Sequence, residues 1–446
     1  MRPAQKVAIV LLGFAASLRG GTFRDIDQYC FSDANKGLGI HWVEQCLQTV
    51  FSDDPLRLTV TVAAPGTGIA IGPAVEFIPR FRHYEFLVTA MAAVSTDGSS
   101  IAEAQLTVGL PSRGLSREAV APGSAAKGAI PHLRTRAADV RASLTLGGRH
   151  IDARAQDFYG IGPDTSLSGR ASYGLQLTEV YAGFNNPLSS WSAAGFNASF
   201  LVPRVTSSID NGLGTMAQRY NSATAPGLFI RDGFVRYEPY VTVRVPPRRS
   251  LSTMVRAGYS IFQDVGDPRY SFKRITATSI TTIPIWLPSR NTPTHRSPVA
   301  NLFCPSLRSA TRCSAGTVQL TASVVASYTA ADHLVPFFFD PTLGGVNFQD
   351  VDTLRGFRDY RFRGPDMVLF QAEYRHPVWG PVGVLSFYDV GNVSLRPGDL
   401  SLSGMRHDIG AGVYLHAGNR ELVRFYIAFG SGEGSRISPK FPAAYQ

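Results

Sequence analysis

The chain has 446 residues, a formal charge of +10 and only 17% charged residues, with 27 Phe, 17 Tyr, 43 Gly and 29 Pro. An apolar fraction of 44% excludes a disordered chain. A charge content below the roughly 25% of soluble domains, with many aromatics and many Gly/Pro breaks, suits a large all-β protein. The arginines are spread along the sequence and not concentrated on one helix, so the basic balance does not point to nucleic acid.

At the N-terminus, Arg2 and Lys6 precede the apolar stretch Val7–Leu18. That stretch is too short for a spanning helix, which needs about 20 residues, and has the make-up of a signal h-region. Small residues at Ala15–Ser17 offer a cleavage site, although not a clean A-x-A; a buried N-terminal helix is the alternative. The expected division is a signal peptide over 1–20, a short periplasmic segment over 21–55 and a β-barrel over 56–446. No other apolar run reaches the length of a spanning helix, so a membrane here would be crossed by strands.

The four cysteines fall in two local pairs, Cys30/Cys46 and Cys304/Cys313. Even number and close spacing fit two disulfides in an oxidising compartment. A zinc site fits less well, because there is no C-x-x-C and the pairs lie far apart; free buried thiols remain the alternative. Cys304–Cys313 is expected in an outer loop, since its surroundings are long, polar and rich in Pro, Ser and Arg.

From about Pro55 onward, strand-like segments follow one another with no convincing helix. In "STMVRAGYSIF", Val255, Ala257, Tyr259 and Ile261 share a face, with Arg256, Gly258 and Ser260 opposite. In "ELVRFYIAFG", Val423, Phe425, Ile427 and Phe429 share a face, with Arg424 and Tyr426 opposite. In "MVLFQAEYR", Val368, Phe370, Ala372 and Tyr374 alternate with Gln371, Glu373 and Arg375. This is the period of a two-faced strand. The aromatic apolar faces and the charged or glycine-bearing opposite faces favour a membrane barrel over a soluble secreted sandwich. Two long polar connections, 204–227 and 287–316, stand out as outer loops. A repeat of about 24 residues per strand and connection gives about 16 strands.

In the C-terminal third, "LGG" (343–345), "LRGF" (354–357), "RFRGP" (361–365), "AEYRHPV" (372–378) and "FYDVGNV" (387–393) follow in order. Together they resemble the BamA/TamA-type outer-membrane assembly superfamily, also called the bacterial surface antigen family. The resemblance implies a transmembrane antiparallel β-barrel of about 16 strands whose sixth outer loop folds inward. It also implies a locking tip at Leu354, Arg355, Gly356 and Phe357, and an acceptor at Glu373, Phe387, Asp389 and Gly391. Arg355 in a narrow lumen would need compensation, which Asp389 and Glu373 supply in a bidentate geometry that lysine could not copy. Gly356 is expected to let the tip turn sharply, Gly391 to leave room for it, and Phe357 to pack beside it. Arg358, Arg361 and Arg363 are expected on lumen carboxylates or lipopolysaccharide phosphates.

The resemblance further implies a cell outer membrane of Gram-negative type, with membrane lipids and lipopolysaccharide as surroundings. Unfolded outer-membrane client polypeptides or accessory lipoproteins would be partners. The expected function is outer-membrane protein assembly or polypeptide translocation; the alternative is a pore, transport channel or structural envelope protein. No upstream polypeptide-transport-associated domain, of about 75 residues in this superfamily, is expected between the signal and the first strand. No enzymatic activity, metal or cofactor is expected. His407 and Asp408 have no nucleophile motif beside them, and the glycines of "APGTGIAIG" lack the Lys and Ser/Thr of a phosphate loop.

Overall fold

The computed structural model describes residues 56–77, 80–81, 84–111, 140–208, 214–248, 251–288, 312–379, 382–417 and 420–440. The expected signal peptide, the segment over 21–55 and three cysteines, Cys30, Cys46 and Cys304, lie outside the described residues. Among the described residues no helix is long and apolar enough to cross a membrane.

Sixteen antiparallel strands follow in chain order. β1 is Leu56–Thr61, β2 Ala70–Phe77, β3 Tyr84–Ser95, β4 Ser100–Pro111, β5 Val140–Phe158 and β6 Ala171–Ser189. β7 is Ser192–Thr206, β8 Phe234–Arg248, β9 Leu251–Asp264, β10 Phe272–Pro288 and β11 Arg312–Tyr328. β12 is Asp366–Trp379, β13 Val382–Ser394, β14 Arg406–Ala417, β15 Arg420–Gly430 and β16 Gly434–Lys440. Each strand pairs with the next, so the sheet is an up-and-down meander. Among the described residues no register joins β1 to β16, so the ladder that would close the cylinder is not seen.

The side chains explain why the sheet curls. On β15, Phe425, Ile427 and Phe429 are 46%, 39% and 53% exposed, while Arg424, Tyr426 and Ala428 between them are buried. β14 repeats this with Ile409 and Val413 outside and Asp408 and Tyr414 inside. On β12, Phe370 is exposed and Glu373 buried. Apolar, aromatic outer faces and polar inner faces are the pattern of a barrel whose solvent is lipid outside and a polar lumen inside. Inward glycines make space where rings cross the lumen wall. A Cβ at Gly410 would lie 2.3 Å from the Phe387 ring, and one at Gly383 2.1 Å from Tyr414.

The meander also assigns each connection to an end. The 329–365 segment joins β11 to β12, and the 207–233 segment joins β7 to β8 at the same end. The connection between β10 and β11 lies at the opposite end, where Cys313 pairs in register with Leu287. The expected Cys304–Cys313 bond in an outer loop lies outside the described residues, because Cys304 and residues 289–311 are not described.

Candidate functional site

Residues 329–365 leave the end of β11 and fold back inside the sheet. A short helical turn, Phe337–Phe339, caps the outer end. Its Phe337 packs edge-on against Phe158 and Tyr173. A two-residue pair, Thr342–Leu343 with Phe362–Arg363, forms the neck of the loop. At Gly344 the backbone is left-handed, with φ 115°, and a Cβ there would meet the Arg358 carbonyl at 2.2 Å, so the neck turns only with glycine. The tip closes through Gly345 N–H to the Leu354 carbonyl and Phe357 N–H to the same carbonyl.

The tip places Arg355 in the wall of β12 and β13. Arg355 is 1% exposed. Its Nε donates to Asp389 Oδ2 at 2.7 Å and its Nη2 to Asp389 Oδ1 at 2.7 Å, a bidentate fork. Its Nη1 donates to Glu373 Oε2. The guanidinium carbon stands 3.5 Å from the centroid of the Phe387 ring, a cation–π contact in a dry site. Gln371 Nε2 donates to the tip carbonyl of Thr353 and to Asp389. Burial alone would push the Arg355 proton off; Asp389 and Glu373 outweigh it and hold the guanidinium charged well above its usual range.

Each expected tip and acceptor residue therefore meets the others. Leu354 and Phe357 are buried with Leu343, Phe362, Met367, Leu369 and Val393. Phe357 and Phe362 meet edge-on at 5.4 Å. A Cβ at Gly391 would lie 2.8 Å from the Val368 carbonyl and 3.0 Å from Leu343, so Gly391 does clear space. Gly356 serves a different need from the expected one. Its backbone is not left-handed; instead a Cβ would stand 2.7 Å from Asp408 Cβ and 2.7 Å from the Gly430 nitrogen. Close approach of the tip to β14 and β15, not a sharp turn, requires glycine there.

One of the flanking arginines, Arg363, departs from expectation. Arg361 does reach a carboxylate, Glu433 at 2.5 Å, and also Thr165 on the β5–β6 connection. Arg363 instead donates to the Phe337 carbonyl and to Tyr173 Oη, because its position at the neck faces backbone and rings. Arg358 is exposed. Since Arg361 touches both the β5–β6 and the β15–β16 connections, the plug bridges distant parts of the wall.

A second set of contacts was not foreseen. Arg436 on β16 donates to Asp359 Oδ2 at 2.8 Å and to the Phe357 carbonyl. Lys440 Nζ stands 2.7 Å from Asp352 Oδ1, and Arg424 Nη1 donates to the other oxygen of Asp352 at 3.1 Å. Arg375 and Arg424 also reach Glu421, and Arg375 reaches Glu373. The signal available in the sequence was an inward charge on consecutive strands, Arg424 among them; the partners lie about 70 to 90 residues away and only register brings them in.

An inward loop whose arginine is clamped by carboxylates of two adjacent strands is the geometry expected from the ordered motifs. The fold is a 16-strand antiparallel β-meander with an inward-folded loop, the architecture that those motifs imply. Among solved structures, similar folds include BamA from Haemophilus ducreyi lacking POTRA domains 1-3, at 10% identity and TM-score 0.49, covering 86% of this chain and 69% of that one. CdiB from Acinetobacter baumannii matches at 10% identity and TM-score 0.46, and CdiB from Escherichia coli at 12% and 0.47. The alignments cover 85% and 86% of this chain but only 56% and 62% of those, so the chain spans under two thirds of either CdiB. No family model and no curated protein sequence matches the chain.

Proposed function

We propose that the protein is an outer-membrane barrel of a Gram-negative-type cell that assists assembly or translocation of polypeptides, without enzymatic chemistry. The observation that carries this reading is the buried Arg355 clamp. A passive structural barrel has no need to hold a loop of this length across its lumen by fixed charges. A plug fastened at one arginine fork and several weaker contacts is an element with two positions, docked and released, and release would open the lumen or loosen the wall. Unfolded client polypeptides are the partners that such an opening would serve, with lipopolysaccharide and membrane lipids around the apolar outer face and accessory lipoproteins as helpers.

The test is reconstitution of the full chain in liposomes with an unfolded client barrel outside. The expected result is faster client folding than in empty liposomes, reduced when Arg355 is replaced by Ala. Client folding at the rate of empty liposomes, alongside a steady ionic conductance in planar bilayers, would favour the second reading, a solute channel. That reading is supported by a cavity of about 330 Å³ left between the plug and the wall.

A further inference from the structure

The plug is held at two levels by different chemistry. At the outer level the turn Phe337–Phe339 is an aromatic wedge. Phe337 meets Phe158 of β5 and Tyr173 of β6, and Phe339 meets Phe234 of β8 at 5.0 Å and Phe262 of β9 at 5.1 Å. Two guanidiniums bind its carbonyls. Arg274 of β10 donates from Nη1 to Phe339 at 2.8 Å, and Arg363 from Nη1 to Phe337 at 2.5 Å. Phe337 N–H donates to the Pro226 carbonyl of the β7–β8 connection, and Gly162 N–H of the β5–β6 connection donates to the Arg363 carbonyl. Ser327 of β11 donates from Oγ to the Pro365 carbonyl at 2.7 Å. Charge at this level is balanced, with Asp340 and Asp366 beside Arg274, and Asp340 also beside Arg363.

The inner level, residues 346–359, is gripped by charge from one side. Arg355 forks onto Asp389 of β13 and reaches Glu373 of β12. Asp352 meets Arg424 and Lys440, and Asp359 meets Arg436. On the other side lies the cavity, bordered by Asn347, Phe348, Gln349 and Tyr360 of the plug. The wall across it pairs its charges within itself. Glu179 is shared between Arg149 and Arg236, at 2.9 Å and 3.0 Å, and Glu238 takes Arg256 at 3.2 Å. The tip reaches that wall through the Phe348 ring, packed on Leu177, Leu201, Ile230 and Phe234.

The two levels meet at three left-handed residues. Gly344 and Gly345 lead out of the neck with φ 115° and 55°, and Tyr360 leads back into it with φ 58°. Tyr360 N–H donates to the Gly344 carbonyl at 3.2 Å, so the two crossings stand side by side. For a tyrosine this backbone conformation is costly. Its Oη is buried without a hydrogen-bond partner among the described residues, a second cost of the docked form. Hinges are a few loop residues that absorb a change of φ and ψ, and these three are the places where both chains of the loop pass from neck to tip.

We infer that the plug is a hinged flap. The neck, 336–343 and 361–365, stays on the wall, and 346–359 swings about Gly344, Gly345 and Tyr360 when the Arg355 fork opens. The inference rests on the reading of the plug as an element with docked and released positions, and it adds which part moves.

The experiment is hydrogen exchange of the full-length protein in a zwitterionic detergent, wild type against Arg355→Ala. Amides of 346–359 should exchange about tenfold faster, the factor set by loss of one charged hydrogen bond, while those of 336–343 and 361–365 stay within about twofold of wild type. Arg355→Lys keeps a cation for Asp389 and Glu373 without the fork. It should give the same pattern at several-fold, and it carries the test if Arg355→Ala does not assemble. Arg274→Gln should do the reverse, quickening 336–343 several-fold and leaving 346–359 slow, a pattern that one rigid plug cannot give. Neck and tip quickening together in any of these variants overturns the hinge and leaves the release reading standing. No quickening of either level in both Arg355 variants overturns the hinge and the release reading together.

Discussion

The two halves of the lumen handle charge in opposite ways. In the half formed by β12 to β16, the inward cations Arg375, Arg424, Arg436 and Lys440 meet carboxylates, Arg355 of the plug meets Asp389, and the plug is pressed onto the wall. In the half formed by β5 to β10, guanidiniums outnumber carboxylates and a cavity remains. The sheet and its alternation are the same in both. The difference lies in what the plug brings: Asp350, Asp352 and Asp359 go to the β15–β16 side, while its aromatic turn Phe337–Phe339 and Asp340 go to the other. One half is a fastener and the other a lined space, and the two can be disturbed separately.

The strongest way to break the comparison is Arg355→Ala. It leaves Asp389 and Glu373 buried without their cation, and removing one partner of a buried pair costs about 3–5 kcal/mol. The expected outcome is a folded barrel with lower heat stability, read by heat-modifiable gel migration, and a plug more open to protease. Asp389→Asn should do nearly the same. The double substitution should fall short of the sum, since both remove one interaction. Strict additivity would show that the tip is not held by this fork.

Gly356→Ala tests the fastener by shape and not by charge. The added methyl would press on Asp408 and on the Gly430 backbone, each at 2.7 Å. Overpacking of this kind costs about 1–3 kcal/mol, and because Gly430 offers only backbone, the tip must yield. A melting temperature equal to that of the wild type would mean that the tip stands further from β14 and β15 than described.

Much of the fastener was legible in sequence because it is local. LRGF, AEYR and FYDVGN lie within 40 residues of each other, and period-2 alternation places Glu373, Phe387 and Asp389 on inner faces once the strands are assigned. The wall was not legible. Arg149, Arg236, Arg256 and Arg274 are separate residues on separate strands, and only the register sets their depth, Arg256 opposite Thr278 and Arg274 opposite Ser260. Arg256 was seen to face away from the apolar side, but nothing in its neighbourhood revealed Glu238. The grip of β16 on the plug was hidden for the same reason.

A smaller effect separates the two halves by pH. Asp340 lies outside the strands, with its carboxyl raised from 3.8 to about 8 by burial, with Arg274 and Arg363 pulling down and Asp366 pushing up. A carboxyl whose folded value is raised contributes stability in its protonated form. That contribution is full below about pH 4 and is lost as pH rises through about 8. Melting of the wild type should therefore decline between pH 6 and pH 9 more than that of Asp340→Asn, which keeps an uncharged side chain of the same shape. Parallel declines would show that Asp340 is already ionised and that the cavity wall is less positive than described.

The smallest expected effect concerns Arg436→Gln on β16. Arg436 and Asp359 are 2.8 Å apart, with side chains 24% and 15% exposed, so water screens part of the attraction. Pairs near a surface are worth about 1 kcal/mol or less, and the amide of Gln can still donate toward the Phe357 carbonyl. The melting temperature should move little. The more telling reading is local: hydrogen exchange of the 350–360 backbone should quicken while that of β12 and β13 stays slow, because the Arg355 fork remains. If exchange quickens equally in both, the plug is released as one body and β16 is part of the fastener; if neither changes, its grip on the loop contributes nothing and the fork alone holds the plug.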